Sequence, residues 1–180
     1  MTLPHDRFPR PDCLALLDFK ANAAPGQALL LGLEAAEAKA AWEDFLGEQT
    51  QITTASEPVS TPGDAAGGGT LRLVIDGRNC SAGEKIATFN RLFPGLEANG
   101  LYLGTSALQG ETERARLSAF FTGLLDDMHA FHKRGKQPEE FAVTELTRTV
   151  KAVHAYPGLF VIEREDRQKP QMVFTGEAQF

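Results

Sequence analysis

The stretch LRLVIDGRNCSAGEKIATFNRLFPGLEANGLYL, Leu71 to Leu103, decides how the rest of the chain is read. Leu71 to Asp76 is an apolar run closed by an acid and a glycine, short enough for a strand buried on both faces. Ser81 to Phe93 reads as a helix, Pro94 to Gly100 as a connector, and LYLGTSAL, from Leu101, as the next strand. Ligands commonly bind where such strands end. After Asp76, however, the chain offers Gly77, Arg78, Asn79 and Cys80, an unusual set of groups for catalysis.

The same alternation extends in both directions. Upstream, QALLLGL (Gln27 to Leu33) is a second continuous apolar strand. EAAEAKAAWEDFLG is a strong helix former, with Ala38, Trp42 and Phe45 on one face and Gly47 at its end. QITTAS is β-branched and predicts a strand, and EPVSTPGDAAGGG marks a flexible loop. Downstream, Glu111 to Arg134 predicts a long amphipathic helix, because Leu117, Phe120, Phe121, Leu124, Leu125, Met128 and Phe131 recur at three- and four-residue steps. Glu139 to His154 predicts another helix, and GLFVIERE and QMVFTGEA two strands that pair as a hairpin. Residues 1–26 read as an extended arm and a short helix, and residues 27–180 as a single α/β domain with a Rossmann-like, mainly parallel sheet.

The 180 residues, 42% of them hydrophobic, suffice for one sizeable core. A formal charge of -6 argues against nucleic acid, whose phosphates demand a dense basic surface. Cys13 and Cys80 lie too far apart in sequence to suggest a disulfide framework, so a reducing cytoplasm is expected. The first residues lack a signal-peptide core, and no apolar run is long enough to cross a bilayer.

Three runs together resemble the class I S-adenosylmethionine-dependent methyltransferases, in particular the metal-using macrolide-sugar O-methyltransferase group. They are ALLLGLEAAEAKAAW, LVIDGRNCSAGEKIATFNRLFPGLEANGLYLGTSA and VKAVHAYPGLFVIERE. The resemblance runs from about Gln27 to Glu165 and is strong at framework positions. It implies a Rossmann-like methyltransferase sheet with an antiparallel C-terminal strand, an S-adenosylmethionine cofactor and a divalent metal.

The chemical positions depart from that pattern. Where the resemblance places an acid on the first strand stands Leu30, and of the glycines that follow it only Gly32 remains. The others fall on Glu34, Ala36 and Glu37, and the two acids suit the first turn of a helix. Glu57 is the best match to the acid that holds the ribose. Asp76 keeps the first metal-ligating acid, Gly77 replaces the second, Cys80 replaces a histidine, and Thr105 and Ser106 replace an acidic pair. One carboxylate among neutral hydroxyls makes a poor Mg²⁺ site. The zinc alternative would need Asp76, Cys80 and a histidine to converge, with His129, His132 and Asp126 as further candidates. The segment before Leu71 is also too short for two further strands and two helices, so about one strand and one helix should be missing.

These departures predict a methyltransferase-like domain without catalysis, cofactor or metal, acting in protein association with a partner or a second copy. Two alternatives stay open. One is a working O-methyltransferase for a sugar or small-molecule hydroxyl, its cofactor contacted by Gly32, Glu57 and Asp76. The other is an anion-binding module using Arg78, Asn79 and Cys80 beside Asp76.

Overall fold

Six strands form one sheet in the order β2-β1-β3-β4-β6-β5. The computed structural model describes residues 26–32, 36–56, 70–105, 110–128, 144–156 and 158–166. Strand β1 is Gly26–Leu31 and β2 is Thr50–Ala55, with helix α1, Ala36–Leu46, between them. Strand β3, Leu71–Asp76, leads through helix α2, Ala82–Leu92, and a 3-10 turn, Phe93–Gly95, into β4, Leu96–Thr105. Helix α3 is Glu111–Met128. A short helix α4, Glu145–Thr149, then runs into β5, Val150–Tyr156, and β6, Leu159–Arg164.

β2, β1, β3 and β4 pair in parallel, and β6 pairs antiparallel with both β4 and β5. This is the expected Rossmann-like sheet with an antiparallel strand near the C-terminus. β2 ends the sheet on its side among the described residues. The expected arm and helix of residues 1–26, apart from Gly26, lie outside the described residues. So do the loop residues 57–69 and the QMVFTGEA strand.

The apolar run of β1 is buried on both faces because the sheet is covered on both. Leu29 and Leu31 face a cluster with Val74, Phe89, Tyr102, Leu117, Phe121 and Ile162. Ala28 and Leu30 face another with Trp42, Leu46, Ile75, Leu103 and Val161. Full burial of each leucine contributes about 1.5–3 kcal/mol, so this short strand holds well without polar alternation. Phe89 of α2 joins the first cluster together: its ring stacks on Phe93 at 4.7 Å and meets Tyr102 and Phe121 edge-on at 5.0 and 5.5 Å.

Two expectations need correction. The expected helix Glu139 to His154 gives way to a strand over Val150–Tyr156, and among its described residues only Glu145–Thr149 is helical. Leu146, Val150 and Val153 are spaced as on a helix face, but pairing with β6 across the turn at Gly158 (φ 85°) decides the outcome. β6 therefore takes its hairpin partner from the preceding segment. The Pro94–Gly100 connector is likewise mostly strand: β4 begins at Leu96 and absorbs Asn99 (φ 66°) and Gly100 in an irregularity opposite Leu71–Leu73. A side chain at Gly100 would stand 2.8 Å from the Glu97 carbonyl oxygen and 2.9 Å from that of Arg72.

Candidate functional site

From β1 the chain winds outward to β2, whereas β3 lies on the other side of β1 and leads to β4. The strand order thus reverses between β1 and β3, and a crevice is expected beyond their C-terminal ends. Two backbone bonds tie this edge together: Gly32 donates to the Ala55 carbonyl and Gly77 to the Leu31 carbonyl, both at 3.0 Å.

Asp76, the last residue of β3, is the hub of the region and is fully buried. Its Oδ1 accepts from the Arg78 backbone at 3.2 Å and from Arg78 Nε at 2.9 Å. Its Oδ2 accepts from Arg78 Nη2 at 2.7 Å and from the Tyr102 hydroxyl at 3.2 Å. Arg78 Nη2 also donates to Thr88 Oγ1 at 2.7 Å. Lys85 Nζ lies 3.7 Å from Asp76 Oδ1 and donates to the Asp76 carbonyl at 3.3 Å and to Thr105 Oγ1 at 3.1 Å. Burial alone would raise the Asp76 pKa, but the Arg78 hydrogen bonds and the Lys85 charge outweigh it, and the carboxyl sits below its usual range. The same burial pushes the Lys85 ammonium down, only partly offset by Asp76.

Helix α2 places Lys85 and Thr88, and its own start is well held. Ser81 and Glu84 form a reciprocal capping box, with Ser81 Oγ accepting from Glu84 N at 3.2 Å and Glu84 Oε2 accepting from Ser81 N at 2.9 Å. Glu113 of α3 accepts from Ala82 N at 2.7 Å, which fixes one helix against the next.

The expected site residues divide sharply. Asp76 and Arg78 come together, but Arg78 turns inward onto Asp76 and Thr88, away from the anionic ligand foreseen for it. Asn79 is exposed, and Cys80 is half-buried with its thiol pushed up by burial. Gly32 has φ 68°, and a Cβ there would meet Arg78 Cγ at 2.6 Å and Arg78 Cα at 2.8 Å. The surviving glycine therefore accommodates Arg78. Glu34, Glu57, Ser106, His129 and His132 lie outside the described residues, and Asp126 is exposed. Sequence reasoning missed Lys85 and Thr88, and took Tyr102 for core alone. The available signal was a lysine on the apolar face of ATFNRLF's helix, one turn ahead of Phe89.

The groups implied by the resemblance fit unequally. A carboxylate has about four lone-pair sites, and those of Asp76 receive four hydrogen bonds. Mg²⁺ requires oxygen lone pairs at about 2.1 Å and would also lie against two buried cations, so this donor set does not fit it. The turn at Gly32 and the strand ends beside it are where the resemblance, and not a ligand in this structure, places an S-adenosyl group. Residues 33–35 and Glu57, which would complete that contact, are outside the described residues.

The chain is similar in structure to crystal structures of the MycE methyltransferase from the mycinamycin biosynthetic pathway. One, in complex with Mg and SAH, superposes with a TM-score of 0.71 at 13% identity, covering 98% of this chain and 54% of that one. Another crystal form gives 0.69 at 14% identity, over 94% and 53%. The complex with Mg, SAH and mycinamycin VI gives 0.66 at 13% identity, over 92% and 52%. The fold is a methyltransferase fold. This chain spans about half the length of the structures it matches. No protein-family model matches it, and no curated relative is found by sequence. The expectation of no cofactor is corrected by these neighbours, which were solved with SAH and Mg. Among the described residues no helix is long and apolar enough to cross a membrane.

Proposed function

We propose that this chain is a methyltransferase-fold domain that binds an S-adenosyl ligand in the crevice between β1 and β3, does not transfer the methyl group itself, and acts in association with another protein or a second copy. Ligand binding is supported by the reversal of strand order between β1 and β3, beyond which such folds hold their ligands, and by the SAH in the similar structures. The loss of transfer is supported by one observation above all: the Asp76 carboxylate is fully engaged by Arg78 and Tyr102. It has no lone pair left to hold a metal or to accept a proton from an attacking hydroxyl. Association is supported by β2, which among the described residues ends the sheet with Gln51 and Thr53 exposed.

Calorimetric titration with S-adenosylhomocysteine tests the binding, and a micromolar dissociation constant is expected, unchanged by EDTA. Glu57→Ala should weaken it. A chain that binds no S-adenosyl compound at millimolar concentration refutes that part of the proposal. Incubation with S-adenosylmethionine and hydroxylated sugars tests the rest, since methyl transfer by the purified chain would restore the transferase reading. Light scattering should report a species larger than one chain, and a strict monomer with no captured partner removes the association.

A further inference from the structure

Three charged side chains meet at the end of β3 with almost no contact with water. Asp76 is 0% exposed, Lys85 2% and Arg78 9%. Buried charges persist only when paired and hydrogen-bonded, and here two cations share one carboxylate. We propose that Arg78 and Lys85 are a tethered replacement for a divalent cation: the chain presents to Asp76, as two covalently attached single charges, what a metal-using enzyme takes up from solution.

Several features of the surroundings support this. Arg78 approaches both oxygens of Asp76 side-on, through Nε at 2.9 Å and Nη2 at 2.7 Å, covering the directions from which an ion would be coordinated. Tyr102 and the Arg78 backbone take the remaining acceptor positions. Lys85 reaches the same group from α2 and also holds Thr105 of β4. Thr105 stands where the resemblance places an acid, and it offers its hydroxyl to an ammonium. Gly32 makes room for the arrangement, since a side chain there would collide with both the backbone and the stem of Arg78. Two strands, a helix and a turn thus converge on Asp76 and its two cations. Arg78 and Lys85 engage Asp76 in the chain as it stands, whether or not an S-adenosyl ligand binds.

Removing Arg78 frees two lone pairs of a buried carboxylate and should convert the place into a cation site. Manganese is a suitable probe, because it substitutes for magnesium at oxygen ligands and broadens nearby amide resonances. In the wild-type chain, substoichiometric Mn²⁺ should leave the amides of Gly77 and Arg78 sharp. In Arg78→Ala the Gly77 amide should broaden, the chain's Mn²⁺ affinity should rise about tenfold or more, and adding Asp76→Asn should abolish the gain. Broadening at Gly77 in the wild-type chain overturns the proposal. So does a folded Arg78→Ala chain with no gain. Should Arg78→Ala not fold, Arg78→Met keeps the stem over Gly32 and is held to the same readout, while the wild-type spectrum decides on its own terms.

Discussion

Removing the Asp76 carboxylate while leaving Arg78 and Lys85 in place strands two buried cations. Asp76→Asn should therefore cost about 3–5 kcal/mol, the range for breaking a buried pair from one side. Urea unfolding measures it, and a cost below about 1 kcal/mol would show the carboxylate to be merely a surface-type partner. The pH dependence has a definite sign. Because the folded-state pKa of Asp76 is depressed, its contribution is complete above the unfolded value, near 3.9, and is lost as pH falls through the folded value. The wild-type chain should lose unfolding free energy below about pH 4, and Asp76→Asn should lose less over the same interval. At this scale the sequence was a partial guide. Asp76 and Arg78 are visible as an acid and a base two residues apart, but that spacing does not say whether the guanidinium turns toward the acid or toward a ligand. The packing of Gly32, Thr88 and Tyr102 settles it.

Among the elements, α2 governs the geometry of the site because it carries Lys85 and Thr88. Its N-terminus is satisfied twice, by the Ser81–Glu84 box and by Glu113 from α3. Ser81→Ala should cost about 1 kcal/mol in thermal or urea unfolding, typical of a lost N-cap. The double variant with Glu113→Ala should cost more than either alone, since the second acceptor then goes as well. A Ser81→Ala chain as stable as wild type would mean that Glu113 alone holds the helix start. The strands were unequally legible. β1 and β3 announce themselves because runs of leucine, valine and isoleucine leave no other arrangement that buries both faces. β5 does not, because Leu146, Val150 and Val153 suit a helix as well as a strand until β6 offers its edge. Leu125 fits the apolar spacing of α3 yet is 40% exposed, since Leu117, Phe121 and Leu124 already fill the contact with the sheet.

For the molecule as a whole, stability should concentrate at the middle of the sheet. β1, β3 and β4 are each flanked on both sides and covered on both faces, whereas β2 and β5 are the end strands among the described residues. Native-state hydrogen exchange should therefore find the amides of Leu73–Ile75 and Leu101–Leu103 among the slowest, approaching the free energy of global unfolding, and those of β2 and β5 faster. Equal protection of β2 would point instead to a partner strand along its edge, which the association proposal allows and light scattering would corroborate.

By itself the sequence determined the alternation of buried strands and helices, and hence the Rossmann-like sheet, because hydrophobic burial reads out locally through periodicity. It also marked the positions where a methyltransferase pattern is broken. Only the tertiary structure decided what occupies the broken positions. Lys85, Thr88, Tyr102 and Thr105 come from the next helix and the next strand, 9 to 29 residues beyond Asp76, and hydrogen bonds of about 3 Å depend on how those elements pack, which no local pattern encodes.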